Sequence, residues 1–462
     1  MGAQAHARPA VRWGLALALA VLVVGFYGRA VSYPLVWDDK PFIAETHALD
    51  DATVLWRAFG EDFWARTARP FRSGMYRPLV IASYALERRV FGPTHAAPHA
   101  TNLAVHLAVV LLIYALALRL RAPAPAAALA AGIFAVHPAV VIAAVNVTSR
   151  TDAMAALFLL LAVHASLGEG RAFLRATAAG LGLLAALLCK ETAVAGILPL
   201  ALLAWRSRTG RAPRGVAIAA ALGLYLALRV YALGGLLPVG PHYTLGEHPP
   251  PPPLGGPALT LHYLLLALIP LGLSPYAPAP AVSWSGSLAA LFILAGLTWL
   301  LWRRGWWRPL SVLGWSVAAL APVAGWIAAP ARLSHLFLYL PLAGTAALLA
   351  PALRPRWAQI GAGAVLALAT VLAWPRVGIW SSDLSLWRAA AEVHPDDPSV
   401  QLNLGNALAA AGRGDESRAH LRRAIELARA RGAPGTAARA LFSLGNDARA
   451  RGALEEARQG YA

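Results

Sequence analysis

The sequence is short of the residues that stabilise small secreted domains and of the charges that keep globular domains soluble. It holds one cysteine, Cys189, in an apolar stretch, which excludes an internal disulfide framework and a cysteine metal cluster. Charged residues make up 13% of the chain, whereas 58% of it is hydrophobic. This composition is far from that of a soluble domain and is typical of a polytopic membrane protein.

Lysine and acidic residues are also scarce, so arginine carries nearly all of the basic charge behind the net +18. The only lysines are Lys40 and Lys190. Such a charge can indicate a nucleic-acid partner, but the arginines lie mostly between apolar segments, where they orient a membrane protein. We therefore predict the lipid bilayer as a partner and no nucleic acid. The preference for arginine and alanine fits GC-rich codons and favours a bacterial source.

Apolar runs long enough to cross a bilayer, which takes about 20 residues, recur through residues 1–374, and we assign these to one membrane domain. The sequence predicts an all-α fold with eleven spans, at 11–29, 99–120, 124–145, 152–168, 173–189, 192–205, 215–233, 286–302, 309–329, 335–351 and 357–374. The first run follows Arg8 and Arg12 and has no convincing cleavage site before Tyr33. We interpret it as a retained signal anchor.

Arginine placement orients the spans and decides one ambiguous segment, 257–276, whose apolar core is short and contains Pro270. If it crossed fully, the arginines of RRGWWR (303–308) would lie outside, against the positive-inside tendency. We therefore predict a re-entrant or peripheral helix there, and a cytoplasmic N-terminus in a bacterial inner membrane. The first loop, 30–98, then lies on the periplasmic side, as do the proline-rich segment 248–256 and the C-terminal tail.

The tail carries an internal repeat. LGNALAAAGRGDESRAH (404–420) and LGNDARARGALEEARQG (444–460) align at a spacing of 40 residues, and each reads as helix, glycine turn, helix. The pattern resembles tetratricopeptide repeats of period about 34, with an insertion near 431–435. We predict a linker helix at 375–398 and a repeat module at 399–462 whose second repeat is incomplete. It is an interaction module, either truncated or supported by the membrane domain.

Two adjacent acids stand out in YPLVWDDKPF (33–42), because the chain is otherwise sparing with acid. Asp38 and Asp39 can be ordinary surface charge that caps a helix just beyond a span. Alternatively, one carboxylate takes a proton from an attacking hydroxyl while the other positions it or tunes its pKa. A carboxylate at this boundary suits a substrate with its tail in lipid and its head in water.

Polar residues also share one face near the outer end of the second predicted span. His99, Asn102 and His106 lie at i, i+3 and i+7, and His137 precedes Pro138 within the third span. A metal site is possible there, but hydrogen bonding between buried helices is the commoner explanation. We predict no metal ion.

Charged motifs recur at the outer ends of later spans, in NVTSRTDAM (146–154) and CKET (189–192). Charges so close to a bilayer mark a pathway or a site. Arg150, Lys190 and Arg229 are the outer cations able to hold a phosphate by charge-assisted hydrogen bonds. The alternative is that Arg150 with Asp152, and Lys190 with Glu191, neutralise one another as structural pairs.

The order of motifs resembles a known family. The chain contains, in this order, VWDDK, YRPL, FG…H..N…H, AVHPAVV…SRTDAMAALFLLLA, CKET, LFLYLPLAG and NLGNALAAAGR. This ordered set resembles the transmembrane and tetratricopeptide repeat-containing O-mannosyltransferase family of the GT-C superfamily. The match runs from about Tyr33 to the end of the chain. The resemblance implies a polytopic glycosyltransferase that uses a polyprenyl-phosphate-linked sugar.

Residue by residue, the resemblance implies the acidic pair as catalytic centre. The matching motif positions are Asp38, Asp39, Arg77, Arg150, Asp152, Lys190 and Glu191. The chain departs from the family in one place: His335 and Leu336 precede FLYLP, where the family commonly has an acidic–arginine pair. This difference concerns the donor contacts and leaves the identity of the sugar open.

Together these observations predict transfer of a sugar, mannose by the resemblance, from a polyprenyl phosphate to a hydroxyl on the periplasmic side. The repeats favour a protein Ser/Thr acceptor or a protein partner, and no cofactor or divalent metal is predicted, since the lipid-linked sugar is a substrate. Three alternatives stay open: transfer to a lipid or polysaccharide, a non-catalytic anchor that displays a repeat scaffold, and a transporter. The outer clustering of the charged motifs ranks the transporter lowest.

Overall fold

A computed structural model describes residues 9–207, 211–236, 255–276, 278, 282–326 and 334–461. The described residues form an all-α protein. Its α-helices are α1 Pro9–Tyr27, α2 Val54–Arg57, α3 Pro78–Phe91, α4 Ala96–Arg119, α5 Ala124–Ala135, α6 Val141–Val145, α7 Arg150–Leu167, α8 Ala172–Leu187, α9 Ile197–Arg206, α10 Arg211–Leu233, α11 Gly256–Leu268, α12 Trp284–Arg303, α13 Trp307–Leu320, α14 Tyr339–Leu349, α15 Arg356–Ile379, α16 Asp383–Val393, α17 Pro398–Ala410, α18 Gly414–Ala430, α19 Pro434–Ala450 and α20 Leu454–Tyr461.

Short turns of tighter or wider helix connect several of these elements. The 3-10 turns are Gly28–Ser32, Ala48–Asp50, Ala58–Gly60, Val147–Ser149, Glu191–Gly196, His335–Leu338 and Ala350–Ala352, and one π turn covers Lys40–Ala44. Arg8, Arg208 and most of the proline-rich segment 248–256 lie outside the described residues.

The chain is a multi-pass membrane protein by its apolar helices. In the described residues, seven helical segments are long and apolar enough to cross a membrane: Pro9–Ser32, Ala96–Arg119, Val147–Leu167, Arg211–Leu233, Trp284–Arg303, His335–Ala352 and Arg356–Ile379. They coincide with seven of the eleven predicted spans. The other four predicted spans, at 124–145, 173–189, 192–205 and 309–329, contain shorter or interrupted helices, so the structure does not show eleven spans.

The predicted span 124–145 shows why one of these is interrupted. Helix α5 ends at Ala135 and α6 starts at Val141, because Pro138 lacks an N–H and disfavours helical backbone in the residue before it. The carbonyl of Ala135 accepts hydrogen bonds from the Tyr27 hydroxyl at 2.8 Å and from His106 Nε2 at 3.1 Å. His106 Nδ1 then accepts from the Tyr339 hydroxyl at 2.9 Å. The break therefore joins α1, α4, α5 and α14 through buried polar groups.

The segment predicted as re-entrant or peripheral contains α11, which has 13 residues and ends before Pro270. At 1.5 Å per residue this helix is about 20 Å long, shorter than the ~30 Å hydrocarbon core. It packs against α12 and α13. Its depth in the bilayer stays a prediction.

The tail consists of paired helices, α17 with α18 and α19 with α20. The recurring glycine of the two repeats has a steric reason. A Cβ on Gly405 would stand 2.8 Å from Leu421, and one on Gly445 would stand 2.8 Å from Tyr461. Only glycine lets the two helices of each pair approach this closely.

The tail also shares its core with the membrane domain. Leu386 and Trp387 of α16 and Leu404 of α17 belong to the same apolar cluster as the first loop and α1. Helix α15 extends past residue 374 to Ile379, and α16 begins at a capping box in which Ser382 and Ser385 bond reciprocally. Since few repeats stand alone, this continuity is what supports the short module.

Candidate active site

Asp39 is completely buried and holds the turn that precedes α7. Its carboxylate accepts hydrogen bonds from Asn146 Nδ2 at 3.1 Å, the Val147 backbone N–H at 3.2 Å and the Thr148 backbone N–H at 2.7 Å. These donors lie more than 100 positions away in sequence. The aspartate therefore ties the first loop to the outer end of α7.

The turn is fixed from its other side by Asn146, whose side-chain oxygen accepts from Ser149 N at 3.1 Å, Ser149 Oγ at 2.6 Å and Thr148 Oγ1 at 3.0 Å. Its amide nitrogen is thereby left to donate to Asp39. An asparagine followed by hydroxyl residues is a strong N-cap pattern, so the sequence NVTS builds this 3-10 turn locally.

The two adjacent aspartates have different environments. Asp38 is half-buried, whereas Asp39 is inaccessible to water. Burial raises the pKa of the Asp39 carboxyl to about 7, although the N–H groups of Thr148 and Val147 oppose that shift and Asp38 adds a small repulsion. Asp39 thus changes protonation near neutral pH, and Asp38 is the more exposed of the two acids.

Arg150 lies in a separate buried cluster beside the same turn. Its guanidinium donates to Asn102 Oδ1 at 2.6 Å, Glu87 Oε1 at 2.6 Å, Ser83 Oγ at 3.0 Å and the Pro98 carbonyl at 2.8 Å. It also lies over the Tyr84 ring, 4.7 Å from the centroid. Nε and both terminal nitrogens of Arg150 are thereby engaged by protein groups. Its ion-pair partner is Glu87, a residue that carried no sequence signal, rather than Asp152.

Two motifs far apart in sequence meet at a second charged cluster. The YRPL segment docks on CKET: the Tyr76 backbone N–H donates to Glu191 Oε1 at 3.0 Å, and Arg77 makes two bonds of 3.1 Å to Glu191 Oε2. Arg229 Nη1 lies 3.6 Å from Glu191 Oε1. Lys190 pairs with Asp152, not with Glu191.

We call Arg77, Asp152, Lys190, Glu191 and Arg229 the cation cluster. It holds three positive and two negative groups, all of them largely buried. Burial raises the pKa of Glu191, but Arg77 and Arg229 outweigh it and keep that pKa below its usual value. Burial lowers the pKa of Lys190, and Asp152 opposes the change. A net positive, partly desolvated cluster suits an anion such as a phosphate.

The predicted polar face on α4 is confirmed, because His99, Asn102 and His106 are all buried on that helix. Asn102 joins Arg150 to the turn, donating to the Asn146 carbonyl at 2.9 Å. His106 takes part in the buried network around Ala135, and His99 is 3% exposed. Within the described ranges, no three His, Cys, Asp or Glu side chains come together as metal ligands do.

His335 is buried at the start of the turn that precedes α14, close to Arg376. The same turn reaches the cation cluster, because the Lys190 ammonium lies 4.8 Å from the centre of the Phe337 ring. His335 itself lies by Arg376, a neighbour that sequence reasoning missed.

Sequence reasoning also missed a latch between the first loop and α16. Asp383 accepts from the Trp37 backbone N–H at 2.9 Å and pairs with Lys40, so it brackets the acidic pair on both sides. Trp37 has a φ of 50°, which is rare for a bulky residue, and its ring packs against Trp387 at 5.6 Å. The only sequence signal near this contact was the Ser382–Asp383 pair, which is typical of the start of a helix.

Comparison with known proteins finds a repeat profile in the tail and distant relatives over part of the chain. The tetratricopeptide repeat family profile matches residues 396–461. The chain is 30% identical over 191 residues to Protein O-mannosyl-transferase Tmtc1 of Drosophila melanogaster, covering 40% of this chain and 22% of that relative. It is 32% identical over 139 residues to Protein O-mannosyl-transferase TMTC1 of Mus musculus, covering 29% of this chain and 15% of that relative. It is 31% identical over 188 residues to Protein O-mannosyl-transferase Tmtc2 of Drosophila melanogaster, covering 38% of this chain and 20% of that relative.

The chain is thus a distant homologue of these proteins over about a third of its length, which confirms the resemblance. It spans about a fifth of the length of the curated relatives it matches. No solved structure matches it significantly.

Proposed function

We propose that this chain is a GT-C type glycosyltransferase that moves mannose from a polyprenyl-phosphate donor to a protein Ser/Thr hydroxyl. The reaction takes place on the periplasmic side of a bacterial inner membrane, with eleven spans placing the first loop and the repeats on that side. The distant relatives are named protein O-mannosyl-transferases, which supports the reaction class.

The observation that carries the proposal is the division of the acidic pair. The Asp39 carboxylate accepts hydrogen bonds from three donors of the turn, at Asn146, Val147 and Thr148. Asp38 is next to it in the chain and is half-exposed. We assign Asp38 as the general base and Asp39 as the residue that positions it, because a base must reach the substrate hydroxyl.

The cation cluster supplies the other requirement of the reaction, which is stabilisation of the leaving phosphate. Asp38 takes the proton of the acceptor hydroxyl, the hydroxyl oxygen bonds to the anomeric carbon, and the bond from that carbon to the phosphate oxygen breaks. The polyprenyl phosphate then leaves with one more negative charge. Lys190, Arg77 and Arg229 carry more positive charge than Asp152 and Glu191 neutralise, which stabilises that charge. Arg150 is not assigned to the phosphate, because its nitrogens are already bonded to protein groups.

The test is transfer of labelled sugar in isolated membranes, with polyprenyl-phosphate mannose or the glucose form as donor. We expect label in a protein fraction with the mannose donor, and a loss of at least about 100-fold in Asp38→Asn. Asp51→Asn, an exposed acid of the same loop, is the matched control and keeps full activity. Wild-type activity in Asp38→Asn would rule out the assigned base. Absence of transfer to protein with both donors would overturn the proposed donor and acceptor.

A non-catalytic repeat scaffold is the second candidate, and one observation favours it. The carboxylate of Asp39 has a complete structural role, and the tail shares a core with the first loop. A scaffold predicts that Asp38→Asn membranes behave as wild type, while deletion of α17–α20 removes the function.

A further inference from the structure

The starts of α8 and α10, which are cytoplasmic by the predicted orientation, carry four arginines. Among the described residues, none of Arg171, Arg175, Arg211 and Arg214 forms an ion pair with a carboxylate, and the nearby Glu169 is exposed. Arg175 donates to the Gly168 carbonyl and Arg214 donates to the Ser166 carbonyl at 3.0 Å. Both guanidiniums therefore share the C-terminal turn of α7 and lie near each other.

Two features show that the positive charge and the hydrogen-bond donors of this cluster are not fully compensated by protein groups. Arg175 and Arg214 are close enough to feel each other's positive charge. In the described part of the chain, the Nε atom of each is buried without a hydrogen-bond partner, and Arg214 is only 6% exposed. A buried donor without a partner destabilises the site, so an anion that accepts a hydrogen bond there is stabilised.

Helix geometry adds positive potential at the same place. Helices α8 and α10 both begin beside the arginines, and they pack along each other, with Gly180 within contact of Ala217. The first N–H groups of a helix have no intrahelical partner, and the Arg171 side chain does not cap α8. Two helix starts therefore meet beside the Arg175 and Arg214 guanidiniums, where an anion can bind. Arg171 and Arg211 stand at the starts of the same two helices, and Arg211 donates to the Trp205 carbonyl at 2.8 Å.

An apolar groove runs away from this cluster between the two helices. It is lined by Phe173, Leu181, Leu184, Val216, Ala220 and Leu224. Phe173, Leu181 and Val216 are 70%, 62% and 68% exposed, so the groove is open to its surroundings. From Phe173 to Leu184 the helix rises about 16 Å, close to the ~15 Å depth of one leaflet's hydrocarbon.

We propose that an anionic glycerophospholipid, such as phosphatidylglycerol, binds here with one acyl chain along the groove and its phosphate on the four arginines. The apolar length and the charged end match the two parts of that molecule. A free phosphate matches only the charged end, and a neutral lipid matches only the groove. The proposal needs a membrane protein and is independent of the transferase reaction.

The test is native mass spectrometry of the full chain in detergent, titrated with phosphatidylglycerol, with phosphatidylcholine of the same acyl chains, or with glycerol phosphate. We expect one tightly retained phosphatidylglycerol and at least about tenfold weaker binding of the other two. The double variant Arg171→Gln/Arg211→Gln, whose side chains are exposed, is expected to bind phosphatidylglycerol about tenfold more weakly at an unchanged melting temperature.

The matched control is Arg303→Gln/Arg304→Gln, which removes the same charge at the exposed end of α12 and is expected to bind as wild type. Ala220→Trp fills the groove at an exposed position and is expected to weaken phosphatidylglycerol binding with all four arginines in place. Equal binding of the two lipids, equal loss in both arginine variants, or glycerol phosphate binding as tightly as the lipid would each overturn the proposal.

Discussion

At the scale of single residues, the acidic pair shows how neighbours acquire different chemistry. Asp38 and Asp39 are equivalent in sequence, but only Asp39 reaches the N–H groups of the turn before α7. Its burial opposes ionisation while those donors favour it. The result is one acid that is fixed and one that is accessible, which is a useful division for a base and its support.

The raised pKa of Asp39 predicts a pH dependence of stability. The pKa rises on folding from 3.8 to about 7, so between these values the folded chain keeps a proton that the unfolded chain has lost. Stability from this group is therefore present at low pH and falls as pH rises through that window, by on the order of 4 kcal/mol. Melting of the purified protein at pH 5 and pH 8 is expected to show a smaller drop in Asp39→Asn than in wild type. Asp51→Asn is the control, and a wild-type slope in Asp39→Asn would contradict the prediction.

Variants of the buried Lys190–Asp152 pair can distinguish an effect on stability from an effect on sugar transfer. Lys190→Met leaves the Asp152 carboxylate buried without its ion-pair partner, which is expected to cost about 3–5 kcal/mol of stability. The double variant Lys190→Met/Asp152→Leu is expected to regain most of the melting temperature, because the pair is replaced by apolar groups.

Sugar transfer by the same double variant reports on the proposed phosphate site. We expect transfer to stay at least about tenfold below wild type, because the leaving phosphate has lost a cation. Full transfer at restored stability would show that Lys190 serves only the fold.

At the scale of elements, α16 is the link between the repeats and the first loop. Asp383 bonds to the Trp37 backbone and to Lys40, and Trp387 packs on the Trp37 ring. A tryptophan at positive φ is strained, and such a conformation persists only where its surroundings fix it. The contacts of Asp383 and Trp387 therefore hold the loop in the conformation that carries the acidic pair.

Asp383→Ala is expected to loosen residues 37–44 without unfolding the helices. The measurement is amide hydrogen exchange of the full chain, in which this segment should exchange at least about fivefold faster. The control is Asp396→Ala, which removes an exposed acid of the same tail that pairs with Arg423. Unchanged exchange at residues 37–44 in Asp383→Ala would show that the aromatic contacts alone hold the loop.

At the scale of the whole molecule, the arrangement of charges follows a simple division. The proposed periplasmic side holds the acidic pair, the cation cluster and the repeats, while the proposed cytoplasmic side holds the unpaired arginines. Each side is thus defined by the helix ends that the predicted orientation brings to it.

The single buried cysteine makes this topology directly testable. Cys189 is inaccessible in the structure, so introduced cysteines report alone. In spheroplasts, a thiol reagent that cannot cross membranes is expected to label Asp51→Cys and Glu455→Cys. Arg304→Cys should label only after the membrane is opened. Labelling of Glu455→Cys only in opened membranes would place the tail on the opposite side from the first loop.

The sequence by itself determined the membrane class, the repeat module and the family relationship. These depend on composition, on periodicity and on the order of short motifs, all of which are local properties of the chain. Most of the long apolar helices followed for the same reason. The glycines at 405 and 445 were visible as a repeat before their contacts with Leu421 and Tyr461 gave the reason.

Only the tertiary structure decided the partners of the charged residues. Arg150 pairs with Glu87, Lys190 with Asp152 and Arg77 with Glu191, over separations of 63, 38 and 114 positions. It also decided that Asp39 is buried and that Asp383 bonds to Trp37 and Lys40 on either side of the acidic pair. Burial and ion pairing depend on which helix ends meet in space, and side chains of one charge are interchangeable partners until packing selects one.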